Sequence, residues 1–531
     1  MTDTDRISMP AKAAARDEGR ADLSTWIAVT SGLIGAFMAV LNIQITNASL
    51  LNIEGGIGTG VDNGTWVSTA YLIGEIIVIP LTDYLSRVFS FRIYLIVNTA
   101  LFLFFSVACA FAHNLGEMIA LRGAQGFTGG VLIPMAFTLI LTRLPKSQQP
   151  MGMALYALTA TFAPAIGPTI GGYLTENYGW QYIFFINLIP GIPMLIGLIA
   201  TLERAPLQLN LLAEGDWFGI SAMAIGLAAL QTMLDEGNKD DWFGSSFIVH
   251  LTVIALVFLV LFVVIELKTN KPAVDLRLLV RRNFGLGTAA NTLLGFALYG
   301  SVYVVPQYLG QVHGYNSEQI GTVMAWIGLP QLIIIPFVPK ITARFDARAI
   351  VALGFGLFGV SCFMNLYMSP DYAGDQMFWA NIVRASGQAL LVAPLTGIAM
   401  VDVTRGESAN ASGIFNMMRN LGGAFGTALL ATFITKREQF HSNVIGSSVT
   451  LFSDSVRDRI SQLTGYFAMH GVPDQAEAQH QAVIAIGNAV RKQALIMGFG
   501  DTFGLLGVLV IAAAVVVLMT RRGTSTGVAA H

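Results

Sequence analysis

Charge is scarce in this chain. Of its 531 residues only 12% are Asp, Glu, Lys or Arg, while 54% are hydrophobic and the mean hydropathy is +0.63. Soluble domains carry about twice that share of charge, so a set of soluble domains is excluded despite the length. There are only two cysteines, Cys109 and Cys362, both inside apolar runs. They exclude a disulfide or zinc framework and read as small packing residues. The seven histidines are scattered, and no phosphate loop, metal-ligand spacing or Ser/His/Asp arrangement occurs. Direct ATP hydrolysis and covalent catalysis are therefore not expected, nor is a bound cofactor or metal. A net charge of −2 excludes a nucleic-acid partner. Residues 1–25 are polar and lack a short apolar core, so they read as a cytoplasmic tail and not a signal peptide.

Long apolar runs are present instead. Fourteen occur, at 26–50, 65–81, 91–112, 117–141, 151–174, 182–202, 218–234, 247–267, 284–309, 321–338, 350–368, 378–401, 411–434 and 503–519. Each is long enough for a helix to cross or nearly cross a bilayer. The expected fold class is an all-α polytopic membrane protein of fourteen transmembrane helices. It comprises a six-helix bundle at 26–204, two linking helices at 205–270 and a second six-helix bundle at 271–521, before a cytoplasmic tail at 522–531. Lys and Arg set the orientation. With the N-terminus inside, inner segments hold twenty of them, from Arg6 to Arg522, and the short outer loops hold only Lys239. Both termini then lie in the cytoplasm. Trp26, Trp66, Trp180, Trp217, Trp242 and Trp379 sit at span ends, as interfacial anchors do; Trp326 lies inside its span. A long polar outer segment, about 436–500, separates the last two spans and reads as an extramembrane contact element with helix around 476–494.

Inside 151–174, Ala163, Gly167 and Gly171 are four apart and stack on one helix face, with Pro164, Pro168 and Gly172 on the next. Such a face lets another helix approach to backbone distance, and the prolines remove backbone hydrogen bonds. A loose repeat follows. Arg122 with Gln125, then Pro134, Gly152 and Gly167–Gly172, are echoed about 260 residues on by Arg384 with Gln388, then Pro394, Arg405, Gly413, Gly422, Gly423 and Gly426. Two repeated halves with a site between them is how many transporters are built.

These residues resemble the fourteen-span drug/proton antiporters of the major facilitator superfamily, the EmrB/QacA type. Gly167-Pro168-Thr169-Ile170-Gly171-Gly172 is similar to that family's antiporter motif in the fifth helix. Trp180–Asn187 is similar to its signature at the sixth, and Arg122-Gly123-Ala124-Gln125-Gly126 to its fourth-helix motif. The resemblance implies export of small lipophilic substrates driven by the proton gradient, a role in antibiotic resistance, and a place in the bacterial inner membrane. It also implies a periplasmic adaptor of the membrane-fusion type and an outer-membrane channel as partners. Three departures stand out. Asn42 occupies the position of the family's first-helix acid; the loop from Asp83 to Arg92 is a degenerate gating motif; and Ala154 and Ala163 replace usual glycines.

An ionisable residue inside a span is a functional candidate by default. Glu75 is the first choice for a proton carrier, since burial favours a neutral carboxyl; the alternative is a structural pair. Arg122 cannot carry a proton but can couple to a carboxylate; the alternative is snorkelling to the outer interface. Arg384 has the same two readings. Arg419 suits an anionic substrate, a carboxylate or a buried polar network. A largely apolar cavity with few polar groups is expected to draw on Asn42, Gln44, Asn47, Tyr299, Tyr303, Gln307, Trp326, Asn381, Arg384, Gln388, Asn416, Met417 and Arg419. The competing readings are a dedicated exporter of one metabolite, siderophore or signal, and a receptor or scaffold acting through the outer segment.

Overall fold

A computed structural model describes residues 20–59, 63–269, 272–404 and 406–521. Most of the expected N-terminal tail, the tail at 522–531 and the basic residues Arg6, Lys12, Arg16, Lys271, Arg405 and Arg522 lie outside the described residues.

The described residues form fourteen long helices: α1 Leu23–Ala48, α2 Thr65–Val88, α3 Phe91–Cys109, α4 Leu115–Arg143, α5 Gln149–Tyr178, α6 Tyr182–Thr201, α7 Trp217–Gly237, α8 Ser246–Lys268, α9 Arg282–His313, α10 Ser317–Thr342, α11 Ala347–Met364, α12 Met377–Asp402, α13 Ser408–Ser448 and α14 Gln475–Leu518. Thirteen are apolar enough to cross a membrane. The one that misses is α13, which holds Asn416, Arg419, Asn420 and four glycines within one span. Its polarity is a property of the site described below.

One apolar core is built wholly from α1–α6 and their connections. A second is built mainly from α9–α14 and reaches across to Ile76, Ala157 and Met223. α7 docks on α2 and α13, at the seam between the halves, and α8 packs on α7. Most side chains in the apolar window of α8 are exposed, as expected of a helix facing lipid on all other sides.

The repeat has a structural counterpart. Regular helix is interrupted in α4 between Gly130 and Leu132, and in α12 between Ala389 and Val392. Pro134 and Pro394 stand just beyond these breaks. A proline ring clashes with the carbonyl four residues back, here Gly130 and Leu390. α5, by contrast, runs as one helix through Pro164 and Pro168.

α13 and α14 have 41 and 44 residues, so each is about 60 Å long at 1.5 Å per residue, twice the ~30 Å hydrocarbon core. Together with the helix Asp454–Met469, which packs on α14, they make the 436–500 segment a helical stalk. The apolar run 218–234 also ends early: α7 continues through Asp235 and Glu236 to Gly237.

Candidate functional site

The small-residue face of α5 meets two partners, not one. A Cβ on Gly167 would lie 2.5 Å from Gln44 Cβ, and one on Gly171 2.9 Å from the Ile45 carbonyl, both on α1. On the next face, a Cβ on Gly172 would lie 2.7 Å from the Ser317 carbonyl of α10, in the other half. Thr169 Oγ1 donates to the Gly321 carbonyl of α10 at 2.6 Å. The motif therefore holds the first half together and forms a seam with the second. In the repeat, Gly422 and Gly426 bring α13 onto Thr292 and Phe296 of α9 in the same way.

Arg122 is completely buried. Its Nη1 donates to Asn42 Oδ1 at 2.5 Å and to Gln125 Oε1 at 2.6 Å, its Nε donates to the Val67 carbonyl at 3.1 Å, and its guanidinium lies 4.4 Å from the Tyr71 ring centre. The snorkelling alternative is thereby overturned, because three acceptors and an aromatic face hold the guanidinium inside the bundle. Gln125 Nε2 and Asn187 Nδ2 both donate to Ser106 Oγ, at 3.0 and 2.7 Å. The motifs of α1, α4 and α6 are thus one hydrogen-bonded network. Asn42 serves it as a neutral acceptor. Among the described residues no carboxylate comes within ion-pair distance of Arg122, Arg384 or Arg419.

A cavity of about 900 Å³ lies between the halves. Glu75, Gln44, Asn47, Tyr299, Tyr303, Gln307 and Pro168 line it, with Ile43, Leu72, Ile76 and Val302 supplying apolar wall. It extends to the helix ends that carry Asn52, Glu176 and Tyr315–Ser317. Towards the other end α13 closes on the first half: Tyr156 donates to Asn416 Oδ1 at 2.8 Å, and Gly413 lies against the Pro80 backbone. Beyond that closure the Arg281 guanidinium donates twice to Glu407, at 2.6 and 2.8 Å, and the Thr404 N–H and hydroxyl donate to the same carboxylate. These donors hold the Glu407 carboxyl down at about 2.

Glu75 is 1% exposed. Asn420 Nδ2 on α13 donates to its Oε1 at 2.9 Å, while Oε2 has no hydrogen-bond partner among the described residues. Among the described residues neither Arg419 nor Arg122 forms an ion pair with it.

Several expected cavity residues sit elsewhere. Asn42 precedes Gln44 by two, about 200° around the helix, and so faces Arg122 instead. Asn416 is bound to Tyr156 in the closed end, with Met417 buried there too. Arg419 is buried behind the wall beside Tyr156. Arg384, Asn381 and Gln388 lie in the core of the second half, where Arg384 Nη2 donates to Ser301 Oγ at 2.5 Å and Gln388 accepts from Gln331. Trp326 is 41% exposed and packs edge-on against Phe378, on the lipid side.

Sequence reasoning missed Asn420, whose signal was an amide next to Arg419 in an apolar span. It also missed Gln231, which lines the cavity and donates to both oxygens of Asp235, and Glu236, which accepts from Thr65 and pairs with Lys239. Ending the seventh span at Leu234 hid these acids.

Residues 32–427 match the model of the Major Facilitator Superfamily. The chain belongs to that superfamily. It is of the EmrB type: the colistin resistance protein EmrB of Acinetobacter baumannii is 34% identical, over 94% of this chain and 97% of that protein. The multidrug export protein EmrB of Escherichia coli is 31% identical, over 88% and 90%. A solved peptide transporter, POT, shares the fold at a TM-score of 0.57 and 13% identity, covering 97% of this chain and all of that one. The superfamily is one of transporters.

Proposed function

We propose that this protein is an inner-membrane multidrug exporter that moves lipophilic compounds outward in exchange for protons. The observation that carries this reading is Glu75: one buried acid, bonded through a single oxygen by Asn420, in the wall of a mostly apolar cavity between two halves. The name of the Escherichia coli relative, a multidrug export protein, supports the multidrug role. About 900 Å³ suits a drug-sized molecule.

The chemistry follows from the contacts. Asn420 holds Oε1, so the proton is carried on Oε2. Ionised Glu75 favours a cationic substrate; its protonation removes that charge and releases the substrate. With both termini in the cytoplasm, the cavity of this conformer faces outward. Return to the inward state breaks the Tyr156–Asn416 bond and lifts α13 from Pro80, while Arg122, held in its neutral-acceptor network, biases the charge state of Glu75 electrostatically. A periplasmic adaptor and an outer-membrane channel complete the route, with the helical stalk as the element that reaches them.

Proton release from purified protein on adding a lipophilic cationic dye tests this, with Glu75→Gln alongside. Release by the wild type, and dye binding without release by the variant, is the expected result; equal release by both would remove Glu75 from the mechanism. A narrower reading, a dedicated exporter of one metabolite or siderophore, draws on the relative named for colistin resistance alone. A broad panel of exported compounds would exclude it.

A further inference from the structure

Tyr303, Gln307 and Gln311 are four apart on α9 and form one stripe. All three line the main cavity, and all three also line a second void of about 220 Å³ on their other side. The stripe therefore stands as a partition between the two spaces. Gln311 Nε2 donates to Gln307 Oε1 at 2.6 Å, so the two amides are ordered along the stripe. Pro306 lies in the same helix beside the stripe. It lacks the N–H that would bond the Val302 carbonyl, so α9 is weakened where the partition stands.

The second void is roofed by the start of the stalk. Ile434 and Glu438 of α13 and Arg491 of α14 line it. Glu438 and Arg491 form a long ion pair at its wall, with the arginine lying mostly outside. Glu438 is 17% exposed and accepts from Ser442 Oγ at 2.9 Å, whereas Arg491 is 73% exposed and 3.9 Å away. The neighbouring Arg437, His441 and Asp501 are occupied with one another. The void thus presents a largely buried carboxylate whose paired arginine is mostly exposed, as the main cavity presents Glu75.

We propose that this void is a release station for lipophilic cations. A cation leaving the main cavity passes the Tyr303–Gln307–Gln311 partition, rests its charge against Glu438 and continues along the stalk. This rests on the exporter reading above. The test uses the full chain and tetraphenylphosphonium as the probe, with equilibrium binding to purified protein and efflux from cells measured separately. Ile434→Trp fills the void and leaves the main cavity intact. It is expected to bind the probe within about twofold of wild type and to export it at least about tenfold more slowly. Glu438→Gln, of unchanged shape, is expected to slow export of the cation about three- to tenfold while export of a neutral lipophile stays at the wild-type rate. Wild-type export by both variants overturns the proposal, and Glu438→Gln decides alone if Ile434→Trp does not fold. If wild type neither binds nor exports the cation, the exporter reading for cations falls and takes the station with it.

Discussion

Gly172→Ala probes the seam between the halves. The added Cβ meets the Ser317 carbonyl carbon and oxygen at 2.7 Å, whereas ordinary contact begins near 3.4 Å. Backbone cannot swing aside as a side chain can, so α5 and α10 must part by about 0.7 Å, the difference between the two distances. The 2.6 Å bond from Thr169 to Gly321 is then stretched, and the 3.4 Å bond from Ser317 Oγ to the Ala48 carbonyl is lost. Overpacking of this kind costs about 1–3 kcal/mol, or about 5–150-fold in the population of the sealed conformer. Dye export is expected to fall by about tenfold, with a lower unfolding temperature in detergent. Gly356→Ala in α11 is the control, because its Cβ meets nothing within 4 Å. It is expected to export normally and to be as stable or slightly more so. If Gly172→Ala matches Gly356→Ala in both assays, the seam is not close-packed as argued.

Asn42→Ala removes an acceptor from the buried Arg122 and is expected to cost about 1.5–3 kcal/mol; Trp326→Ala on the lipid side is expected to stay within about 0.5 kcal/mol. Thermal unfolding of the two variants side by side checks the contrast. Asn420→Ala frees the second oxygen of Glu75 and is expected to slow export severalfold without loss of protein, measured as initial efflux rate against membrane abundance. The Arg281–Glu407 contact has a carboxylate held at about 2, below its usual 4.5. Its contribution is therefore fully present above about pH 4.5 and is lost as pH falls towards 2. The difference in unfolding temperature between wild type and Glu407→Gln should be constant from pH 8 to about 5.5 and shrink below about pH 4. A difference that grew on acidification would refute this sign.

Much of the architecture was legible because lipid makes hydropathy decisive. A run such as 247–267 can only be a span, and α8 duly faces lipid. Legibility fell where function introduces polarity. α13 is the least apolar of the fourteen spans because Asn416, Arg419 and Asn420 sit in it, and α7 ran on past its apolar run because Asp235 and Glu236 are satisfied by Gln231, Thr65 and Lys239. Composition counts such residues as solvent-seeking; packing supplies their partners instead.

Periodicity reports which residues share a face of one helix, and for Gly167, Gly171 and Gly172 it separated two faces correctly. It is silent on what each face meets. That Gly167 touches α1 while Gly172 touches α10, and that Asn42 turns from the cavity towards Arg122, depends on how helices are set around one another. The fourteen spans, the repeated halves and the acid at position 75 follow from the order of residues alone, because burial cost and hydrophobicity are local to each segment. The joining of Asn42, Arg122, Gln125, Ser106 and Asn187 into one network, and of Glu75 to Asn420 across 345 positions, was decided by tertiary structure. Hydrogen bonds are short and directional, and which helices come within 3 Å is a property of packing that no single segment contains.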